Sequence, residues 1–414
     1  MPSTTLATIC MLLVGLGVIA YAVLGGADFG GGVWDFFASG PLADRQREAI
    51  SHAIGPVWEA NNVWLIYVIV VTWTAFPAVY ASVSTALFVP LVLALVGIIL
   101  RGAAFGFRSQ YARRAGSANA WGRVFNVASV ITPFLLGTAA GAIAGGAIRV
   151  HGGVVSANYW TDWTTAFALS CGAFAVALCA VIAATYLAVE ALNAGDLPLV
   201  VYFRGRALVA GAVTAAIGAV TAILSISQSP ELWRGLIGKA LPLSFGAVLI
   251  GLLTAGALLT GLYRPARLLI VAETGCILAA WGVAQYPYLI YPDVTVRNAA
   301  VPNSVLLATI IVSVAGMVVL LPSLWYLFHI FKSPRARPAR VTAAQLAERG
   351  MSLAFVTNAG VGPQGGDAAP KDVAVHHGAG AVARIVSVAA AGGAVALSLV
   401  VLLRRRRTKR RLGP

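Results

Sequence analysis

Four ionisable side chains stand where a chain this apolar should carry none. Asp28 lies in the run Gly25-Gly26-Ala27-Asp28-Phe29-Gly30-Gly31-Gly32, and Glu59 in Trp58-Glu59-Ala60-Asn61-Asn62-Val63-Trp64. Arg101 closes one long apolar stretch and Glu273 sits near the middle of another. An ionisable group at the centre of a bilayer costs at least ~2.5–3.5 kcal/mol on insertion scales, so each of these needs a reason. Glu59 and Asn62 are three residues apart and share a helix face. A protonatable carboxylate flanked by amides can hand protons along a chain of polar groups. Pro56 suits a helix start, and Glu59 in the first turn would also favour the positive end of the helix dipole, so relay and cap both stand. Asp28 reads as a helix-end carboxylate in contact with water or as a neighbour of Glu59 on the same side. Its glycines do not form a nucleotide loop, because no strand precedes them and no βαβ unit follows. They let helices approach closely or let the chain bend. Arg101, followed by Phe105-Gly106-Phe107-Arg108, reads as a side chain snorkelling to the interface. Glu273 reads as an interhelical hydrogen-bonding group or as a proton or ligand site, and Glu190 as interfacial.

The elements that must position these residues are membrane helices. Of 414 residues 59% are hydrophobic and only 10% charged, and the mean hydropathy is +0.85. A soluble domain carries roughly 25% charged residues. Apolar runs long enough to cross ~30 Å of hydrocarbon recur along almost the whole chain, too long and too uniform for barrel strands. About nine spans are predicted: Thr5 to Leu24, Val63 to Ala81, Val83 to Leu100, Val124 to Ala147, Thr164 to Leu187, Leu208 to Ile226, Ala240 to Leu262, Leu268 to Tyr286 and Val305 to Phe328. This polytopic domain occupies residues 1–333, residues 334–382 form a flexible linker, and residues 383–414 hold a further apolar run, a candidate C-terminal membrane helix with a basic tail.

Lys and Arg alternate between rich and poor connections. Arg45 and Arg47, Arg108 to Arg123, Arg204 and Arg206, Arg264 and Arg267, and Lys332 to Arg340 mark one side. Arg149, then Arg234 with Lys239, then Arg297 mark the other. The positive-inside rule places the N-terminus outside and the end of span nine in the cytoplasm. A full crossing by the last run would put Arg404 to Arg411 outside. Translocation of the linker, an interfacial last run, or an error among the nine spans would each resolve that conflict.

The net charge of +15 flanks apolar runs and fills the tail, the pattern of membrane-flanking residues, and this excludes a nucleic-acid groove. Cys10, Cys171, Cys179 and Cys276 lie in apolar segments without metal or disulfide spacing. None of the five histidines falls at the centre of a span, so the chain cannot build a bis-histidine haem site.

Tyr21 through Gly32 and Ala53 through Ile66, followed by Phe76-Pro77-Ala78-Val79-Tyr80, Arg101, Phe107-Arg108, Ala184 to Leu187, Tyr286-Pro287 and Asn303-Ser304, resemble the second subunit of cytochrome bd-type quinol oxidases over residues 5–333. The stretch from Trp58 to Trp64 is the specific part. The resemblance implies an all-α integral membrane protein of two four-helix bundles plus a peripheral helix. It implies a haem-free subunit in a bacterial cytoplasmic membrane, paired with a first subunit that carries haem b, haem d and the quinol site. The complex oxidises quinol and reduces oxygen to water. The resemblance also admits a structural quinone, a small single-helix subunit and bound membrane lipids as companions. By motif it puts Asp28, Glu59 and Asn62 in a cytoplasmic proton path, supported by Trp58, Asn61, Trp64 and Arg101. The family more often has Asp where Glu59 stands, and it normally ends soon after its last helix, so the tail has no counterpart there. A secondary transporter and a purely structural assembly subunit are the competing classes. A transporter should show broken helices in matching halves, and Glu273 has no partner in the first half.

Cysteines introduced at Arg113 and Arg149 test the topology with a membrane-impermeant thiol reagent. The Arg113 position should react only from the cytoplasmic side and the Arg149 position only from outside; the reverse pattern overturns the charge-bias argument.

Overall fold

The computed structural model describes residues 3–54, 57–110 and 115–332. Arg113, the linker, the last apolar run and the basic tail lie outside the described residues. The chain runs through α1 (Thr4–Phe36), α2 (Ala43–Ile54), α3 (Val57–Ala75), α4 (Pro77–Ala86), α5 (Phe88–Gln110) and α6 (Ala115–Gly145). A hairpin of β1 (Arg149–His151) and β2 (Val154–Ser156) leads to α7 (Ala166–Asn193), α8 (Leu197–Gln228), α9 (Pro230–Ile237), α10 (Leu241–Leu259) and α11 (Tyr263–Gln285). A second antiparallel hairpin, β3 (Tyr288–Ile290) with β4 (Val294–Thr295), precedes α12 (Val296–Ala299) and α13 (Asn303–Lys332). Among the described residues eight helices are long and apolar enough to cross a membrane, nine if a bent pair counts as one span. That agrees with the expected all-α membrane fold.

The bent pair corrects the expectation of an unbroken span from Val63 to Ala81. Residues 60–75 and 77–86 are inclined by 119° to one another. Pro77 is the cause. It has no N–H to continue the ladder of α3 and it pushes the residue before it out of the helical region, so Phe76 takes φ −138°, ψ 61° and Pro77 starts a new helix. Phe76 is buried at the break, in a cluster with Ala7, Cys10, Leu87 and Leu306.

Span one is also longer than its apolar run suggests. Instead of ending near Leu24, α1 continues through the glycines to Phe36. A helix can carry such a run when neighbours pack against it, and here the missing side chains are where α6 and α7 come in. A Cβ on Gly26 would lie 2.6 Å from Ile182 Cδ1, one on Gly30 1.9 Å from the Cys179 carbonyl oxygen, and one on Gly32 2.1 Å from Ser129 Oγ. Close approach is therefore the glycines' purpose. Alanines on α7 answer them: Ala180, Ala183 and Ala184 are buried in the main core cluster, with α8 and α11 on the other flanks of α7.

Turn chemistry delimits the remaining helices. Thr165 caps α7 by accepting from Ala168 N–H, and Asp196 caps α8 by accepting from Leu199 N–H. Gly195 and Gly261, with φ of 73° and 78°, close α7 and α10 in the left-handed conformation, letting Asp196 N–H reach the Ala191 carbonyl and Leu262 N–H the Ala257 carbonyl. At the other end Asp293 ties the two hairpins together. It accepts from Arg149 Nε at 2.8 Å and from Val150 N–H at 2.9 Å. Arg149 holds the Asp293 carboxyl below its ordinary range, chiefly through that side-chain hydrogen bond.

Gly30→Ala should therefore destabilise the protein by about 1–3 kcal/mol, because the helices must part to admit a methyl group. Gly15, also on α1, has no neighbour within 4 Å of its would-be Cβ, so Gly15→Ala should leave stability unchanged or slightly raised. Thermal unfolding in detergent compares the two; equal effects would show that the glycine run does not set the α1–α7 spacing.

Candidate functional site

Asp28 lies on the part of α1 that packs against α3, α6 and α7. It is 1% exposed, and not the water-facing helix end that its place beside an apolar run suggested. Two facts of local sequence bring this about: α1 continues past it, and the flanking glycines bring neighbouring helices against it.

The partner is Arg101. The residue expected to snorkel from the end of a span is buried, because α5 runs on to Gln110 and the side chain turns inward. Its Nη1 donates to Asp28 Oδ2 at 2.5 Å, and its Nη2 donates to Oδ1 at 2.7 Å and to the Asp28 carbonyl at 2.8 Å. Nε donates to Ser129 Oγ at 2.8 Å, and that hydroxyl donates to the Phe125 carbonyl at 2.7 Å. The guanidinium also lies over the rings of Phe29 and Phe125, 4.9 and 4.7 Å from their centroids. A bidentate fork with stacked faces is the geometry in which arginine is most tolerable away from water.

From α3, Asn61 Nδ2 donates to Asp28 Oδ2 at 3.1 Å. Gly25 makes room for that amide, since a Cβ there would lie 3.3 Å from Asn61 Oδ1. Gly32 does the same for Ser129. Four helices, α1, α3, α5 and α6, thus meet at one buried ion pair. Trp64, one turn beyond Asn61, is buried and stands edge-on to Tyr67, with ring centroids 6.1 Å apart. Among the described residues Asn61 Oδ1, Trp64 Nε1, Tyr67 OH and Tyr21 OH have no hydrogen-bond partner.

Of the residues singled out from sequence, Asp28, Asn61 and Arg101 meet directly, and Trp64 lies on the same helix as Asn61. Asn62 is half-buried on α3. Glu59 and Trp58 belong to the first turn of α3, but their side chains lie outside the described residues. Sequence reasoning missed Ser129, Phe125 and Phe29. A lone serine in an apolar span was the only available signal for the first, and nothing distinguished the two phenylalanines from lipid-facing ones.

Other charged contacts cluster at the basic end of the helices. Arg267 meets Glu190 at 3.3 Å and lies over the Tyr186 ring, and Arg204 donates to the Leu259 carbonyl at 2.9 Å. Glu273 reaches across from α11 to α10, where its Oε2 is 3.4 Å from Thr254 Oγ1, the interhelical contact expected of it. No group of three or more His, Cys, Asp or Glu among the described residues could hold a metal ion. His52 lies on α2, His151 on β1 and His329 in the last turns of α13, so the described donors do not fit an axial haem pair within this chain.

Fold and site together define a multi-pass helical membrane protein organised around a buried Arg–Asp pair. A family model described as cytochrome bd terminal oxidase subunit II matches residues 6–331. The putative cytochrome bd menaquinol oxidase subunit II of Bacillus subtilis is 22% identical over 327 residues, 76% of this chain and 92% of that protein. The cytochrome bd-I ubiquinol oxidase subunit 2 of Escherichia coli K12 is 32% identical over 130 residues, 31% of this chain and 34% of that one. A chain in the structure of bd oxidase from Geobacillus thermodenitrificans superposes with a TM-score of 0.67 at 22% identity, covering 79% of this chain and 98% of its own length. The chain belongs to the cytochrome bd terminal oxidase subunit II family. It is a subunit of an oxidoreductase, and a second subunit implies a first.

Removing Arg101 alone strands a buried carboxylate, so Arg101→Met should cost about 3–5 kcal/mol and deplete the assembled complex. Adding Asp28→Asn should recover part of that loss, the signature of direct coupling. Additive effects in thermal unfolding and complex yield would contradict the pairing.

Proposed function

We propose that this chain is the haem-free second subunit of a cytochrome bd-type quinol oxidase in a bacterial cytoplasmic membrane. Its spans form two four-helix bundles plus a peripheral helix beside a haem-bearing first subunit. That partner takes electrons from quinol and reduces oxygen to water with protons from the cytoplasm. This chain contributes to assembly and lines part of the proton path. The observation that carries the reading is the buried network of Asp28, Arg101 and Asn61 in a member of this oxidase family.

In this reading the residues divide the work. Asp28 has both carboxylate oxygens on Arg101, so it serves as a fixed charge that holds the helices and their polar groups in place. Asn61 ties α3 to that charge and thereby sets the first turn of α3, which carries Glu59. Glu59 is the group that takes up and releases protons, with Asn62 one turn on along the same face. Asn61 Oδ1, Trp64 Nε1 and Tyr21 OH are buried polar atoms that an ordered water chain could join, and such a chain carries protons.

The relay assignment predicts that Glu59→Gln slows steady-state oxygen reduction while haem content stays unchanged, and that Glu59→Asp keeps most of the rate. If Glu59 only caps α3, Gln costs about 0.3–1 kcal/mol of stability and turnover is intact. Quinol oxidase rate and haem content measured on one preparation separate the two. A normal rate in the Gln variant excludes Glu59 from the path.

A further inference from the structure

Glu273 lies near the middle of α11 and faces α10, and neither helix contributes a side chain to the network around Asp28. A methyl group on Gly251 would be 2.8 Å from Glu273 Oε1 and 3.2 Å from Cδ, so glycine at 251 leaves the niche the carboxyl fills. Thr254, on the next turn of α10, brings Oγ1 to 3.4 Å from Oε2. That hydroxyl owns one hydrogen. The Ile250 carbonyl, at 2.8 Å, is much the closer acceptor and takes it. The contact between Thr254 and Glu273 then joins two oxygens with no hydrogen between them, unless the carboxyl supplies one.

The surroundings agree. No cation among the described residues is within ion-pair distance of Glu273. α10 carries no ionisable side chain at all. On α11, Arg267 is engaged by Glu190 of α7, Arg264 lies in the first turn, and Cys276 is the nearest other titratable group. α9 presents Glu231 and Arg234, which pair with each other, and Asp28 of α1 is taken by Arg101. An isolated carboxylate in such a place keeps its proton. The niche is not closed by this chain: Leu249, Leu252 and Leu253 on α10 and Leu268 on α11 are exposed, and Glu273 is only half-buried.

We propose that Glu273 is held as an un-ionised carboxylic acid, donating to Thr254, and forms a modification site for lipophilic carbodiimides. In the reaction the acid adds across one C=N bond of the reagent. The carboxyl oxygen bonds to the central carbon and the acid proton passes to nitrogen. The O-acylisourea so formed rearranges to a stable N-acylurea without loss of any atom. A hydrophilic carbodiimide does not partition to that depth, so the site discriminates between reagents by solubility.

The test uses the assembled complex in lipid nanodiscs. Dicyclohexylcarbodiimide should leave an adduct on the peptide containing Glu273, visible by mass spectrometry, and a water-soluble carbodiimide should leave none. The infrared carbonyl band of an un-ionised acid should vanish in Glu273→Gln and change position in Thr254→Val, where the acceptor is lost. Absence of the adduct, equal labelling by both reagents, or a band that Glu273→Gln leaves intact overturns the proposal. Should Glu273→Gln not assemble, a band unmoved in Thr254→Val overturns it equally.

Discussion

A guanidinium among packed membrane helices must be neutralised and have its donors occupied, and around Arg101 the fold supplies the carboxylate and engages four of the five N–H donors at one point. All three of its nitrogens donate to groups of α1 and α6, and its central carbon lies over the rings of Phe29 and Phe125. The rest of this half of the molecule follows from that demand. α1 has to remain helical through its glycines, since only then do the Asp28 carboxylate and carbonyl both present themselves to α5. Gly25 and Gly32 have to lack side chains, since Asn61 and Ser129 occupy the space. A buried ion pair adds little net stability compared with a well-packed apolar contact, but breaking one is expensive. The pair thus penalises every arrangement of α1 and α5 other than this one.

Much of the architecture was legible because one signal dominates it. Runs of apolar residues long enough to cross a bilayer identify the spans, and the alternation of arginines between connections orders them. The break at Phe76–Pro77 was hidden for the same reason: Val79 and Ala81 continue the hydropathy of α3 although Pro77 forbids its geometry. Asp28 and Arg101 were each recognised as costly, and each was assigned to the nearest interface. Their union could not be read, because they are 73 residues apart and nothing local to either names the other. Of the two roles open to the glycines, close approach and a bend, the packing shows close approach within one continuous helix. What they approach, a serine on α6, the Cys179 carbonyl and an isoleucine on α7, is a property of the packed state alone.

The two ends of the molecule use charge differently. At the basic end, cations are grounded one at a time: Arg267 on Glu190, Arg204 on the Leu259 carbonyl of α10, Arg206 over the rings of Trp34 and Tyr202. Arg204 also meets the negative pole of the α10 dipole at that carbonyl. At the opposite end cations are fewer, and Asp293 accepts from both a side chain and a backbone amide of the neighbouring hairpin. The basic end is thus stitched helix to helix, and the other end loop to loop.

Chain order gives the buried pair a temporal meaning. The acid is synthesised first, on α1; its amide partner arrives with α3, the arginine with α5, and the serine that holds the arginine with α6. During that interval the carboxyl group of α1 is without the partners that surround it in the packed structure, an arrangement costly in hydrocarbon. The four helices can therefore close around the pair only once α6, the last of them in the chain, has brought Ser129 to the arginine.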